Sequence, residues 1–396
     1  MTLCLLKKES KTDLEINVFN SITELNKTDW NEVVGKANIY LTIGYLEAIE
    51  KSLNKEISFR YLIFYNDKSI PVAIAVVQFL LFYDKDYKEQ EQLCHVRNKI
   101  KQSLIDSSGV QIMTCGSPFA CGENGFHYTN ALSASVAYKN LSRGLIQLQK
   151  NEKSTIKAPV LLLKEFWPES ILASDKLLEG GFKDFMIDVN MVMTLQPSWK
   201  TFEDYISAMN AKCRTKAKGA FKKSASLKIV DFQENDIIEY EKPIELLYKA
   251  VVEKSAFKFG ALNGETFSYL KKNLKDKFII NGYFLNDKLV GFSSAFIFNT
   301  ILDANYVGID YSLNQEHAIY QRMLYHYVEL AIRSNSSEVR FGRTAEEIKS
   351  TIGALPINMK LYIRHQNKIK NSLLKPVFGS ITPSSFELRT PFKTSN

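Results

Sequence analysis

"KFIINGYFLNDKLVGFSSAFIFNTILDANYVGI", residues 277–309, decides the fold class. Its apolar runs Lys277–Leu285, Lys288–Phe298 and Ile301–Ile309 read as three consecutive β-strands. Asn-Asp and Asn-Thr turns join them, because Asn and Asp tolerate the positive φ of a tight hairpin. A helix from about Ala318 to Arg333 follows. Tyr320, Met323, Leu324, Tyr327, Val328, Ala331 and Ile332 lie at helical spacing and form one buried stripe. Arg322, Tyr325, His326, Glu329 and Arg333 fall on the opposite stripe. A strand "EVRFG" (338–342), a short helix and a closing strand "MKLYIRH" (359–365) complete the order.

The first half of the chain repeats this plan. "YLIFYNDKSIPVAIAVVQF", from Tyr61, reads like "NGYFLNDKLVGFSSAFIFN", from Asn281, with the same Asn-Asp-Lys at the turn. Helical patterns with a Tyr-Leu pair precede each hairpin ("IGYLEAIEKSL" and "FSYLKKNLKDK"). A longer helix and a short strand follow each ("LSASVAYKNLSRGLIQLQKN" then "APVLLLKEF", and the helix and "SEVRFG" of the second half). Two similar domains in tandem are the economical reading. The join lies near "MVMTLQPSWKTFEDY", where Pro197 breaks the pattern. Beyond residue 370 the composition turns to Ser, Thr, Pro and Phe, which predicts an extended surface tail.

Composition sets the outer bounds. With 396 residues, 45% hydrophobic and 24% charged, each half can bury its own core. Five cysteines, an odd number without a C-x-x-C pair, suit a reducing compartment. The apolar run at the N-terminus is too short for a secretory signal. "IPVAIAVVQFLLFY" falls below the roughly 18 residues of a spanning helix. A cytoplasmic protein without a membrane span is therefore expected. Cys94-His95 and the set Cys115, Cys121, His127 match no common zinc spacing, so no metal is expected. The net charge of +8 is concentrated. Between Asp204 and Asp231 there is no acid, while Lys212, Arg214, Lys216, Lys218, Lys222, Lys223 and Lys228 all fall there. Such a stripe is a solvated helix face or a place for an anionic partner.

A β-meander, helix, strand, short helix and final strand is the order of the GNAT acyltransferases. The doubling, the basic "YISAMNAKCRTKAKGAFKK" and the block "YVGID…YQRMLYHYVELAI…VRFGRTAEEIKSTIG" resemble the FemAB-like branch of that superfamily. The resemblance implies an α+β chain of two tandem GNAT-like domains, each a mixed, mainly antiparallel sheet flanked by helices. The domains would be 1–195 and 196–370, the second catalytic, with a tail at 371–396. It implies an N-acyltransferase that moves an acyl group from a thioester, on coenzyme A or an acyl carrier, to an amine of a small or cell-envelope precursor. The acyl donor would be a co-substrate rather than a permanently bound cofactor. Fem peptidyltransferases use aminoacyl-tRNA instead, which makes tRNA the partner in a second reading; DNA is not expected. A third reading is a degenerate pair that binds an anionic ligand without turnover. Coenzyme A-dependent members carry Gln/Arg-x-x-Gly-x-Gly/Ala before the long helix, so that backbone N–H groups cradle the pyrophosphate. Here that segment is "YSLNQEHAIYQ", Tyr311–Gln321, with no glycine. Side chains there hinder the close approach of a phosphate.

The same layout selects site residues. The third meander strand lines the cleft, offering Tyr306 and Asp310; Asp310 would take a proton or orient the amine, unless it only ends the strand. His326, with Arg322 and Glu329 a helical turn away, would be a proton shuttle or part of a surface ion-pair ladder. The family layout puts an aromatic, Tyr320, near the cleft. Thr344 and Glu347 have the spacing of a capping box, and Gly353 with Pro356 stops the short helix. That leaves Arg343, where the strand exits beside the groove, to hold an anion together with Lys349. Arg214, Lys218 and Lys222 recur every four residues on one helix face and would reach tRNA or a nucleotide-linked acceptor.

Overall fold

A computed structural model describes residues 4–6, 13–36, 38–82, 109–254, 260–378 and 386–393. Cys94-His95 lies outside the described residues. The chain forms two compact units. One comprises Met1–Asp188, Ala256–Gly260 and Asn358–Pro383; the other comprises Val189–Ser255, Ala261–Ile357 and Ser384–Asn396.

The first unit carries strands β1 (Cys4–Leu6), β2 (Glu15–Phe19), β3 (Ser58–Tyr65), β4 (Pro71–Phe82), β5 (Val110–Cys115) and β7 (Val160–Phe166), side by side in that order. β6 (Phe126–Tyr128) pairs with β4 as well. Helices α1 (Lys27–Val34), α2 (Ile43–Leu53), α3 (Ala134–Asn151) and α4 (Pro168–Ser174) connect them. Each of the first three begins at an Asn, Thr or Ser whose side chain accepts from the first-turn N–H groups: Asn26, Thr42 and Ser133. The core joins Phe64, Ala75 and Val77 of the hairpin to Leu141, Leu145 and Leu148 of α3.

The second unit begins inside β8 (Lys183–Thr194), whose residues Val192–Thr194 pair antiparallel with β13 (Glu338–Arg340). Its sheet continues through β12 (Ile301–Ile309), β11 (Lys288–Phe298), β10 (Phe278–Leu285) and β9 (Lys228–Asp231). The meander that the sequence predicts is present, with its second and third strands at the expected bounds. Asn286 and Asp287 both adopt positive φ, 48° and 60°, as a two-residue hairpin requires. The matching Asn66-Asp67-Lys68 turns differently. Asn66 Oδ1 accepts from the N–H groups of Lys68 and Ile70, and the positive φ falls on Ser69.

Helices α5 (Phe202–Ala208), α6 (Ala211–Lys223), α7 (Glu234–Glu239), α8 (Glu241–Lys254) and α9 (Gly264–Leu274) precede the meander. α10 (Tyr311–His317) and α11 (Ile319–Arg333) follow it, and α12 (Glu346–Ser350) follows β13. Each unit is thus α+β, a mixed sheet flanked by helices.

Three expectations are corrected by the packing. The second face of α11 is not an exposed ladder: Tyr325 packs against Phe202 and Phe221 of α5 and α6, Arg322 lies 4.9 Å from the Phe221 ring, and His326 is buried. The strong apolar stripe identifies one buried face, but nothing in a single helix announces that distant helices cover another. The tail is not extended throughout, since α13 (Lys368–Phe378) forms after Asn367, whose Oδ1 accepts from Lys370 N–H. Leu374 is its buried anchor. Finally, the closing strand β14 (Leu355–His365) pairs with β7, from Lys360↔Phe166 to His365↔Val160. The first unit therefore receives a strand from the end of the chain, and the second receives β8. Strand pairing partners are set by tertiary packing, which a periodic pattern does not encode.

Candidate functional site

In the second unit β12 and β13 run parallel and are paired at three positions, Ile301↔Glu338, Leu302↔Val339 and Asp303↔Arg340. Two features separate them beyond that point. β12 gains an extra residue against β11 between Ala304 and Val307, a bulge that bends the strand. β13 turns the other way, because Phe341 N–H donates to the Met191 carbonyl and Met191 N–H to the Gly342 carbonyl. Pairing between the two strands stops at Asp303↔Arg340, which leaves an opening in the strand ladder with β12 from Ala304 to Ile309 on one side and the Phe341–Ala345 segment on the other. Gly342, Thr344 and Ala345 take φ of 69°, 63° and 54°. A β-branched residue in the left-handed region is an outlier of the kind held in place at functional sites.

The first unit has the same parallel pair in β5 and β7, from Ile112↔Val160 to Cys115↔Leu163. There the opening is filled by the chain itself. The loop Gly116–Gly125 folds back, with Gly116 N–H on the Val76 carbonyl and Val76 N–H on the Gly125 carbonyl. A Cβ on Gly125 would come within 2.3 Å of Gly116 N, so only glycine permits the crossing. Lys164 Nζ, buried, donates to the carbonyls of Ser117 (2.9 Å) and Ala120 (3.0 Å). Glu165 accepts from Gly122 N–H (3.0 Å) and pairs with Lys164 at 3.4 Å. Burial pushes the Cys115 thiol up to about 12, too high for a thiolate at neutral pH. Among the described residues no group of three or more His, Cys, Asp or Glu side chains is placed to hold a metal ion.

No family model matches the chain, and no curated protein matches it in sequence. Solved structures do. A tandem GNAT protein from the clavulanic acid biosynthesis pathway matches with a TM-score of 0.53 at 9% identity, over 90% of this chain and 99% of that one. FemX matches with a TM-score of 0.50 at 10% identity, over 89% and 98%. The fold is a tandem GNAT fold. At such identities the likeness carries the fold, and the chemistry has to come from the residues.

Several residues expected at the site have other roles in this chain. Asp310 is the N-cap of α10: its carboxylate accepts from Ser312 N–H and Ser312 Oγ, and Lys288 lies 3.4 Å away. The Ser312 hydrogen bond, with Lys288, lowers its pKa, as suits a cap that stays ionised. Tyr306 is buried among Tyr248, Phe267 and Phe296, on the sheet face under α8 and α9. His326 receives or gives a hydrogen bond at 2.9 Å between Nδ1 and the Tyr283 hydroxyl, which also meets Ser293 Oγ at 3.1 Å. Burial first, then Arg322 and Arg333, lowers its pKa to about 4. So weak a base has little driving force to accept the proton of an attacking amine.

Lys349 is buried and its Nζ donates to the carbonyls of Arg343 (2.6 Å) and Gly342 (3.3 Å), which fixes the turn instead of facing solvent. The capping box does not form. Thr344 and Ala345 are both left-handed, so the helix starts at Glu346 without a side-chain cap, and Glu347 pairs with Arg389 at 2.7 Å. Gly353, at φ 106°, ends the turn as expected. Arg214 Nη1 donates to the Met209 carbonyl at 2.5 Å, while Lys218, Lys222 and Lys223 of the same helix remain exposed.

Tyr320 is half-buried on α11, and Arg343 is half-buried in the Phe341–Ala345 segment. Tyr320 lies two turns before Tyr327, whose ring meets Phe341 edge-on at 6.3 Å, so the stripe runs along the exit of β13. Its hydroxyl pKa is raised by burial, then by Tyr311 and Glu346. Tyr311 and Glu346 had no signal in sequence: one follows a strand-end acid, the other reads as an acid suited to a helix N-terminus.

The turn between α10 and α11 tests the fit of coenzyme A. Asn314 Oδ1 accepts from Tyr320 N–H at 2.9 Å, and Ala318 provides the left-handed turn residue at φ 48°. A donor that would face a pyrophosphate is already satisfied internally, and a methyl group occupies the bend. This turn does not fit the backbone cradle that coenzyme A uses.

Proposed function

We propose that the second unit transfers an acyl group from an activated carrier to an amine in the opening between β12 and β13. The observation that supports this reading is the contrast between the units. The first fills its opening with residues 116–125, whereas in the second Ile309 leads directly into α10 without such a loop. The stretch of β12 beyond Asp303 has no strand beside it on the β13 side among the described residues, and its backbone edge is suited to hold a carbonyl. N–H donors fixed there would strengthen as the carbonyl becomes a tetrahedral oxyanion. Arg343 anchors an anionic part of a substrate, and Tyr320 forms the wall. The amine attacks the carbonyl, the carrier leaves with a proton, and the nitrogen loses its proton to water at the mouth.

A Fem-type donor, aminoacyl-tRNA, is the second reading. The internally capped turn at Asn314 and the exposed Lys218, Lys222 and Lys223 on α6 favour it over coenzyme A. Their row would meet backbone phosphates, with a strong dependence on salt. No helix among the described residues is long and apolar enough to cross a membrane.

The test is turnover. Purified protein is offered acetyl- and longer acyl-coenzyme A, and charged tRNA, each with a panel of primary amines, and products are read by mass spectrometry. An amide product that forms about tenfold less efficiently in Arg343→Ala supports the reading. No product from any donor, with binding of an anion retained, leaves the degenerate pair instead.

A further inference from the structure

Besides its closed strand opening, the first unit has a groove of about 350 Å³ between α3 and the 3₁₀ helix Asp175–Gly180. Lys139, Ser142, Arg143, Ile146 and Lys150 recur at helical spacing, so one stripe of α3 makes one bank. Leu141, Leu145 and Leu148 face the core from the opposite side of the same helix. Lys176 stands on the other bank. A Cβ on Gly180 would come within 2.0 Å of Ser142 Oγ, so only glycine lets the two banks meet at the floor. The charge of the groove is unbalanced. Arg143 is held by Asp13 at 3.6 Å and by the Leu14 carbonyl at 2.6 Å, and Lys176 pairs with Glu179 at 2.9 Å. Lys139 and Lys150 have no ion pair among the described residues, so four cations meet two carboxylates. Ser142 adds a second, independent observation. It is only 5% exposed, yet its hydroxyl makes no hydrogen bond among the described residues. Ser52 and Ser224, also buried in helices, donate back to the carbonyls of Ala48 and Ala220. That local bond is the usual one for a helical serine. The Ser142 hydroxyl lines the groove instead.

We propose that this groove binds a small phosphate-bearing anion, a pyrophosphate or a compact phosphate ester. Lys139 and Lys150 start about 16 Å apart along the helix axis, and their flexible stems reach the centre from either end. Arg143, fixed by its own partners, and Lys176 add to the field there. Ser142 donates to one oxygen of the anion, which gives its buried hydroxyl the partner it lacks. An anion with a single charge gains less from the same cations. Ile146, half-buried on the α3 bank, offers an apolar contact to the organic part of an ester. The volume lies at the small end of ligand sites and suits a compact anion, not an acyl chain borne on a nucleotide. The site therefore goes beyond the acyl-transfer reading and does not depend on it. The competing account is a solvated basic helix face, which gives Ser142 and Gly180 no part.

The probe is inorganic pyrophosphate, titrated by calorimetry at low salt into the full chain, with acetate as the singly charged control. Pyrophosphate should bind and acetate should not, and added salt should weaken the binding. Lys139→Gln combined with Lys150→Gln should weaken pyrophosphate at least about tenfold, since two exposed charge pairs are lost. Ser142→Ala should weaken it several-fold. Both variants should keep the thermal midpoint of the parent. Lys218→Gln combined with Lys222→Gln, on α6, should leave the affinity unchanged. A lipid headgroup is the other source of the same chemistry, and vesicles of phosphatidylglycerol test it by co-sedimentation. If the vesicles carry the protein down through Lys139 and Lys150 while free pyrophosphate does not bind, the site for a free anion is overturned. No binding of pyrophosphate, equal binding of acetate, or loss of binding with the α6 pair and not with the α3 pair overturns it as well. So does unchanged affinity in Ser142→Ala together with the α3 double variant.

Discussion

Leu163 in the first unit and Arg340 in the second occupy the same place, the last paired residue of a strand running parallel to its neighbour. Two residues further on, both chains turn through positive φ, at Glu165 (51°) and at Gly342 (69°). Past these turns the two units diverge. The first sets a buried Lys164–Glu165 pair against the carbonyls and N–H groups of its own loop, and the opening is closed. The second uses a buried lysine too, Lys349, which holds the two carbonyls of the turn. Arg343 follows Gly342 in that turn and is half-buried. One backbone plan has become a stabilised joint in one unit and a candidate site in the other.

That contrast can be broken by substitution, and the largest effect should come from the closed side. Lys164→Met leaves Glu165 buried without its cation and two carbonyls without a donor; a loss of about 3–5 kcal/mol is expected. The check is the denaturation midpoint, and a loss below about 1 kcal/mol would mean that the loop does not depend on the pair. Next comes His326. Its folded pKa of about 4 lies below the usual value for histidine, so between these values the unfolded chain binds the extra proton. Stability is therefore full above about pH 6.5 and falls as pH drops toward 4, with about 2 kcal/mol lost by pH 5. His326→Gln should remove that part of the pH dependence, measured as the difference between the two proteins at pH 7 and pH 5.

On the open side the effects should fall on function. Arg343→Ala is expected to lower kcat/KM about tenfold, roughly 1.4 kcal/mol, with an unchanged midpoint; an unfolded or destabilised variant with normal binding would make Arg343 structural. Thr344→Gly should relieve a left-handed β-branched residue and raise stability by about 1 kcal/mol, while loosening the turn that presents Arg343. The smallest effect belongs to Asp310→Asn. Asparagine still caps α10, so activity within about twofold of the wild type is expected, and a hundredfold loss would return Asp310 to the role of base.

Much of the fold was legible in the chain. The meander at 277–309 and the helix stripe from Tyr320 to Ile332 follow from periodicity, because side-chain direction repeats with the backbone geometry that buries it. The functional candidates were less so. Asp310 and Lys349 are the right residue types beside the right groove, yet one caps a helix and the other bonds two carbonyls; residue type does not reveal which hydrogen bonds a side chain has already made. His326 reads as polar surface because the group it bonds, the Tyr283 hydroxyl of β10, lies on a strand 43 positions earlier in the chain. The Lys164–Glu165 lock had no sequence signal at all, since adjacent opposite charges in a strand ordinarily face opposite sides. Only the positive φ of Glu165 turns both inward to the same loop.

The central claim is that ligands enter the opening of the second unit and not that of the first. Hydrogen–deuterium exchange with each activated acyl donor, and with charged tRNA, tests it most directly. Slowed exchange confined to residues 304–309, 319–322 and 341–346 is the predicted result. Slowed exchange at 116–125 and 160–166, with the second unit unaffected, would contradict the account.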